Sequence, residues 1–284
     1  MTQPGDKVLI QTPVYNHFFT SIHNSGCQAA ESPLVYRDNT YTIDFDDLER
    51  KAADPAVKLM LLCNPHNPAG RVWTPAELHR IGELCLRHDV VVVADEIHCE
   101  LVMPGFRYTP FASLCEEFER RSVTCTSPSK AFNLAGLQVA NIFAADAALR
   151  ARIGHSLQIN ETGEIGPFAI EALIAAYDEG AEWLDALNEY LHGNYRFSRE
   201  YFDRNLPQYP VLPLEGTYLV WVDCRASGLT SDELETKLLE EAKLRINPGA
   251  IYGEAGRDFI RLNIACPRKL LAEGLDRLRK VLKR

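Results

Sequence analysis

The chain has 284 residues, of which 46% are hydrophobic and 24% charged, a composition that excludes disordered, collagen-like and coiled-coil classes. At this length we expect one large and one smaller domain. Thirty Lys and Arg stand against 39 Asp and Glu, and this net charge of −9, without a basic run, argues against nucleic acid as a partner. Neither a membrane-spanning run nor a signal peptide is visible, so we predict a cytoplasmic protein with no membrane partner.

Eight cysteines are scattered along the chain without any Cys-x-x-Cys pair. This spacing favours neither a zinc ribbon nor a thioredoxin-like redox site, and we predict no metal site. Several cysteines lie in apolar runs that read as strands. We therefore expect reduced, mostly buried thiols, as is usual in a cytosolic protein.

Short apolar runs alternate with segments of helical period from the start to about residue 150. The run 90–94 is four valines and an alanine, apolar on both faces, as a central strand of a parallel sheet should be. Just before it, Thr74 and Glu77 form a capping box around Pro75, which predicts a helix start. The alternation predicts an α/β fold with a doubly wound, mostly parallel sheet. The predicted strands are Lys7–Ile10, Val57–Cys63, 90–94, Ser122–Thr126 and 139–143.

After residue 150, apolar residues recur at helical spacing and predict one or two long helices broken near Gly180. Three prolines between 207 and 213 mark a boundary. We therefore predict a large domain over 1–180, a bridging helix over 181–206 and a small α+β domain over 207–284. In the small domain we expect strands at 218–222 and 259–264 and a helix after the capping box of Thr230 and Glu233. A last helix should bury Leu271, Leu275, Leu278 and Leu282.

Polar side chains gather where two of the predicted strands end. Lys130 follows the strand Ser122–Thr126, with the hydroxyls of Ser127 and Ser129 beside it, and Asp95 ends the strand 90–94. Because the carboxyl ends of parallel strands share one edge of a sheet, we expect Lys130 and Asp95 to meet there. An amine, a carboxylate and phosphate-binding hydroxyls are the groups that pyridoxal phosphate needs. On position alone a surface lysine is the simpler interpretation, and the neighbouring groups favour the cofactor.

Five stretches, in the same order along the chain, resemble the fold-type I pyridoxal-phosphate enzymes of the class I/II aminotransferase superfamily. The residues in these stretches resemble most the cystathionine β-lyase and maltose-regulon modulator branch. The resemblance spans nearly the whole chain and implies the transferase-like large domain of these enzymes, pyridoxal 5'-phosphate as cofactor, and a homodimer. The stretches are TPVY at 12–15, NPHNPAGRVW at 64–73, DEIH at 95–98, SPSKAFNLAGL at 127–137 and FIRLNIACPR at 259–268.

By position, the resemblance implies a role for each polar residue near the cofactor ring. Lys130 would form the Schiff base with the cofactor and take the Cα proton of the substrate, and Asp95 would pair with the pyridine nitrogen. Tyr15 would stack on the ring, and Asn67 and His98 would reach its phenolic oxygen. The structural alternatives are a helix cap at Asp95, a core residue at Tyr15 or His98, and a turn residue at Asn67.

Two further roles concern the charged ends of cofactor and substrate. Ser127 would bind the phosphate, with Ser129 as a weaker candidate. Arg261 would bind the substrate α-carboxylate, because a guanidinium matches a carboxylate in a bidentate way. A surface ion pair is the structural alternative for Arg261.

The sequence departs from the family pattern in two ways. Relatives have a further amino-terminal part before a segment like 5–9, and it supplies part of the small domain and a helix end that holds the phosphate. Many aminotransferases also have a phosphate-binding arginine where this chain has Gln138. Both departures reduce the number of groups expected to hold the phosphate.

The resemblance implies a carbon–sulfur β-lyase that releases pyruvate, ammonia and a thiol from a small amino-acid substrate. An aminotransferase of the same fold is the alternative, because Lys130, Asp95 and Arg261 would serve both reactions. A second alternative is a non-catalytic homologue that binds another protein. These three possibilities remain open from the sequence.

Overall fold

The computed structural model describes residues 1–283. Its strands are β1 (Lys7–Ile10), β2 (Gln28–Glu31), β3 (Val35–Arg37), β4 (Thr40–Thr42), β5 (Val57–Cys63), β6 (Val91–Asp95), β7 (Ser122–Thr126), β8 (Asn141–Phe143), β9 (Leu219–Asp223), β10 (Asn247–Pro248) and β11 (Phe259–Asn263). Its helices are α1 (Asn16–Asn24), α2 (Phe45–Ala52), α3 (Pro75–Arg87), α4 (Glu116–Arg120), α5 (Ala147–Ile159), α6 (Pro167–Glu179), α7 (Ala181–Asn205), α8 (Ser231–Ala242) and α9 (Arg268–Leu282). No helix within 1–283 is both long and apolar enough to cross a membrane.

A six-stranded sheet forms the larger part of the fold, with the order β2-β1-β5-β6-β7-β8. The first five strands run parallel, and β8 pairs antiparallel with β7 at the edge. Connections between parallel strands must cross over the sheet, which is why helices such as α3 lie between them in the chain. The predicted doubly wound, mostly parallel sheet is confirmed.

The two faces of this sheet are covered unequally. On one face, Met60 and Leu62 of β5 are fully buried in a core that includes Leu78 of α3. On the other face, Leu61 and Val93 are only partly buried. Within the described residues, the side of the sheet that includes Asp95 is therefore the more open one.

A three-stranded antiparallel sheet in the order β10-β11-β9 forms the smaller part. In its register Arg261 of β11 lies opposite Trp221 of β9. Helix α9 packs on this sheet through an apolar stripe, and the predicted burial is confirmed for Leu271, Leu275, Leu278 and Leu282. The capping box that begins α8 at Thr230 is also present.

The prediction of one or two helices broken near Gly180 is confirmed by α6 and α7. Helix α5, which precedes them, was not predicted. The helical spacing from Ile165 to Ala176 is borne out from Pro167 onwards, but Phe168 is 78% exposed and only Ala169 and Ala176 of α6 are buried. The bridging helix predicted over 181–206 corresponds to α7, while the domain boundaries remain a prediction.

The β3–β4 hairpin, which follows the large sheet's edge strand β2, contacts the small sheet. Tyr36 donates a hydrogen bond to Asp223 at 3.1 Å, and Trp221 donates one to the hydroxyl of Tyr41 at 3.3 Å. Trp221 also stacks on Phe259, with 5.3 Å between ring centroids. These contacts fix β9 and β11 against the large sheet and so set the position of Arg261.

Arg71 links the loop after β5 to both parts of the fold. Its guanidinium pairs with Glu77 of α3 at 3.2 Å and with Glu215 before β9 at 2.9 Å, and it donates to the carbonyl of Tyr41. All three charged side chains are largely buried, with 11%, 21% and 14% exposure for Arg71, Glu77 and Glu215. Removing one partner of a buried ion pair strongly destabilises the folded protein.

Replacing Arg71 by alanine should lower the free energy of unfolding by about 2 kcal/mol, because two poorly solvated carboxylates would lose their cation. Urea unfolding measures this. The matched control is Arg120→Ala, which removes an exposed pair with Glu116 and should change stability by less than about 0.5 kcal/mol. Equal losses in the two variants would contradict the assigned role of Arg71.

Candidate active site

Asp95 is the last residue of β6 and lies at the carboxyl edge of the large sheet. In the register it pairs with Cys63 of β5 on one side and Cys125 of β7 on the other. Its Oδ1 accepts a hydrogen bond from the backbone N–H of Ile97 at 3.2 Å. Burial raises the pKa of Asp95, and the Ile97 N–H and the charge of Lys130 oppose that rise. The carboxylate is thus short of cationic partners at a ligand-binding edge.

Lys130 follows β7 in a turn at the same edge. The turn is closed by backbone hydrogen bonds from Phe132 to Pro128 at 2.9 Å and from Leu134 to Ser129 at 3.1 Å. Asn133 adopts a left-handed conformation with φ of 55°, which asparagine tolerates better than most residues. Because β6 and β7 are parallel neighbours, Lys130 and Asp95 lie at the same edge of the sheet, as predicted.

His98 lies three residues beyond Asp95 and is 4% exposed. Its ring meets the ring of Tyr218 edge-on at 5.7 Å, and its Nδ1 has no partner among residues 1–283. Burial lowers the pKa of His98 to about 3, and the charges of Lys130 and Arg261 act in the same direction. His98 is therefore a neutral imidazole at physiological pH, with one nitrogen available to a ligand.

Arg261 reaches the site from β11 of the small sheet. Its Nη1 donates to Oδ1 of Asn67 at 3.0 Å, and its guanidinium lies over the ring of Tyr252 at 4.8 Å from the centroid. Its Nε is buried without a partner within the described part of the chain, and burial lowers the pKa of the guanidinium. Arg261 thus retains donors for a carboxylate, which guanidinium binds with two parallel hydrogen bonds.

The loop that holds Asn67 is fixed by residues that the sequence interpretation passed over. The Asn67 N–H donates to Sγ of Cys63 at 3.4 Å, and that thiol donates to the carbonyl of Pro65 at 3.4 Å. His66 is buried, its pKa is lowered to about 4 mainly by burial, and its Nε2 bonds the carbonyl of Pro13 at 2.8 Å. The sequence signal for these roles is the position of Cys63 at the end of β5 and of His66 within the stretch 64–73.

Glu96 was also missed, although it directly follows Asp95. It is fully buried and accepts from Asn64 Nδ2 at 3.2 Å, from the Phe111 N–H at 2.9 Å and from the hydroxyl of Tyr108. Burial raises the pKa of Glu96, and these three donors oppose the rise. Glu96 therefore joins Asn64, in the loop after β5, to the loop after β6.

Ser127 is placed beside Lys130, but its hydroxyl is already engaged. It donates to the carbonyl of Val139 at 2.6 Å and accepts from the N–H of Ser129 at 3.1 Å. A hydroxyl has one proton to donate, so Ser127 would have to release Val139 to donate to a phosphate. Ser129, the weaker candidate of the two, has no bonded partner for its hydroxyl within the described chain.

Tyr15 lies at the amino-terminal end of α1, next to Asp95. Burial raises the pKa of its phenol, and the charge of Asp95 adds to the rise. Its ring makes edge contacts with His17 at 5.1 Å and Phe18 at 6.1 Å. The structure therefore gathers Tyr15, Asn67, Asp95, His98, Lys130 and Arg261 around one point between the two sheets, and their roles remain predictions.

His98→Gln should make the free energy of unfolding less dependent on pH between about 6.5 and 4. Folded His98 takes up a proton only near pH 3, whereas a histidine in the unfolded chain does so near 6.5. Unfolding thus takes up a proton in this range, so stability falls as the pH is lowered, by up to about 1.4 kcal/mol per pH unit for each such histidine.

Denaturant unfolding at a series of pH values measures this slope. The matched control is His17→Gln, which changes an exposed histidine of α1 and should keep the slope of the original chain. An unchanged slope in His98→Gln would contradict a neutral, buried His98.

Comparisons with known proteins identify the family of the chain. A model of the family "Aminotransferase class I and II" matches residues 1–278. Cystathionine beta-lyase PatB of Bacillus subtilis (strain 168) is 43% identical over 281 residues, which are 99% of this chain and 73% of that protein. Protein MalY of Escherichia coli (strain K12) is 35% identical over 281 residues, 96% of this chain and 70% of that protein. The crystal structure of cystalysin from Treponema denticola, which contains a pyridoxal 5'-phosphate cofactor, superposes with a TM-score of 0.95 at 38% identity and covers 99% of this chain and 72% of that one. The chain therefore belongs to the class I and II aminotransferase family.

Proposed function

We propose that the protein is a pyridoxal-phosphate-dependent carbon–sulfur β-lyase that cleaves S-substituted cysteines to pyruvate, ammonia and a thiol. The observation that carries this proposal is the placement of Asp95 and Lys130 after the neighbouring parallel strands β6 and β7, with Arg261 bonded to Asn67 in the loop after the adjacent strand β5. The similarity to a cystathionine β-lyase over 99% of the chain supports the choice of reaction within the family.

The described residues fit the cofactor on the ring side of the site. A carboxylate whose pKa is raised by burial, as at Asp95, gains from a protonated pyridine nitrogen placed against it. Nδ1 of His98 and the hydroxyl of Tyr252 are buried without partners within the described residues, so the site offers unused polar atoms. On the phosphate side the hydroxyl of Ser129 is the unengaged donor, and Ser127 would bind after releasing Val139.

The chain's own residues then account for binding and proton transfer. Arg261 binds the α-carboxylate and is itself oriented by Asn67, which fixes the direction of the Cα–H bond. The amine of Lys130 receives the Cα proton. Pyridoxal phosphate, when bound, supplies an electron sink for the pair left on Cα, and Asp95 strengthens it by keeping the ring nitrogen protonated.

The elimination balances without an oxidant or reductant. The proton leaves Cα for Lys130, the Cβ–S bond breaks, and sulfur departs with the bonding pair as a thiolate. Water then converts the remaining three-carbon fragment to pyruvate and ammonia. No residue need change its redox state, which is consistent with eight free cysteines.

Incubating the chain with pyridoxal phosphate and L-cystathionine should produce pyruvate and a thiol in equal amounts. Lys130→Ala should lower this rate by about 1,000-fold or more, because the general base is lost. Lys58→Ala, which changes an exposed lysine of β5, is the matched control and should retain the rate. A keto acid of the whole substrate would identify an aminotransferase, and no product in any condition would favour a non-catalytic homologue.

We further propose that the protein acts as a homodimer in the cytoplasm. Support for the dimer comes from α6, where Phe168, Ile170 and Ile174 are 78%, 49% and 46% exposed. Ile170 and Ile174 lie one turn apart on the same side of the helix. Exposed apolar side chains grouped in this way are typical of a protein–protein interface. Support for the cytoplasm comes from the eight free cysteines, since reduced thiols persist in a reducing compartment.

Phe168→Glu combined with Ile174→Glu should shift the protein from dimer to monomer, because two carboxylates would be desolvated in the interface. Sedimentation velocity measures the mass. Leu239→Glu, on the exposed side of α8 at 47% exposure, is the matched control and should leave the mass unchanged. A monomer before any substitution would overturn the dimer proposal.

A further inference from the structure

A cleft opens beside Lys130. It has a volume of about 350 Å³ and lies between the turn that carries Lys130, the first half of α7 and the segment after β11. Clefts of about 300 Å³ or more are large enough for small-molecule groups. Because Lys130 itself lines it, the cleft is continuous with the proposed site of proton transfer.

The walls of the cleft present aromatic rings whose polar atoms are already engaged. Trp183 Nε1 donates to the carbonyl of Ala131 at 3.2 Å. The hydroxyl of Tyr190 donates to the carbonyl of Cys266 at 3.3 Å and accepts from the N–H of Arg268 at 2.8 Å. Leu187, one turn after Trp183 on α7, adds an aliphatic surface. What remains for a ligand on this wall is mainly apolar surface.

Charged partners are scarce in this cleft. Among the described residues that line it, none is acidic, and the single cation is Lys130, which the proposed reaction requires. The polar residues there are neutral, such as Asn133 and Asn263. A ligand group that carries both an ammonium and a carboxylate would lose water without gaining an ion pair, which is unfavourable.

Tyr218 connects the cleft to the carboxylate-binding side of the site. It lines the cleft, meets the ring of His98 at 5.7 Å and lies close enough to Arg261 for that charge to act on its phenol. A substrate whose carboxylate is held by Arg261 and whose amine is at Lys130 therefore has this cleft within reach of its side chain.

We propose that this cleft binds the departing thiol portion of the substrate and selects apolar S-substituents, alkyl or aryl, over the amino-acid half of cystathionine. Trp183, Leu187 and Tyr190 are the specificity-determining residues. The inference rests on the proposed lyase function, and it adds the class of substrate that the lyase prefers.

The test compares three substrates on the holoenzyme: S-benzyl-L-cysteine, L-cystathionine and β-chloro-L-alanine, which has no S-substituent. We expect kcat/KM for S-benzyl-L-cysteine to exceed that for L-cystathionine by about ten-fold or more, a discrimination within the range of apolar pockets. Trp183→Ala should lower the ratio of kcat/KM between S-benzyl-L-cysteine and β-chloro-L-alanine by about ten-fold, chiefly through KM. Leu239→Ala removes an exposed leucine of α8 and is the matched control for that ratio.

A second variant is expected to gain activity, and such a gain cannot be caused by misfolding. Leu187→Arg places a cation in the cleft, and the ratio of L-cystathionine to S-benzyl-L-cysteine activity should rise because the distal carboxylate gains a partner. The cleft proposal is overturned if the unsubstituted enzyme prefers L-cystathionine to S-benzyl-L-cysteine. It is also overturned if neither Trp183→Ala nor Leu187→Arg changes the ratio of activities predicted for it. The lyase proposal stands in both cases. If none of the three substrates yields pyruvate, it is the proposed function that fails.

Discussion

The hydrogen bond between Arg261 and Asn67 is the contact on which the candidate site depends. It joins the small sheet to the loop after β5 at 3.0 Å and brings the guanidinium to the edge where Asp95 and Lys130 lie. The hairpin contacts of Tyr36 and Tyr41 with β9 hold the same two sheets together at some distance from the site. The carboxylate binding proposed for Arg261 would therefore depend on the interface between the two sheets.

Buried hydrogen bonds hold the loops that carry the candidate site residues. Glu96 accepts three hydrogen bonds and connects the loops that follow β5 and β6, while the thiol of Cys63 holds the backbone around Asn67. A buried carboxylate is favourable only when its lone pairs are matched in this way. The network costs desolvation, but it holds the loops that follow β5 and β6 against each other, and such support is what an oriented reaction requires.

The features predicted from the sequence are those that follow from local residue patterns and from the rule that the carboxyl ends of parallel strands share one edge of a sheet. The run 90–94 predicts a central strand because it is apolar on both faces, and the placement of Asp95 and Lys130 at one edge follows from parallel neighbours. The hairpin β3–β4 was not predicted because its strands have three residues each, too few to show a period. The engagement of Ser127 by the carbonyl of Val139 and the pairing of Arg261 with Asn67 join residues distant in sequence, so no local pattern indicates them.

The register of β11 against β9 has a consequence for how the chain tolerates changes in length. Arg261 points toward Asn67 because it lies opposite Trp221, and successive side chains of a strand alternate between faces. Inserting or deleting a single residue within β11 before Arg261 would turn its guanidinium to the opposite face and abolish its contact with the large sheet. Natural variation in length and deliberate grafting should therefore avoid this part of β11.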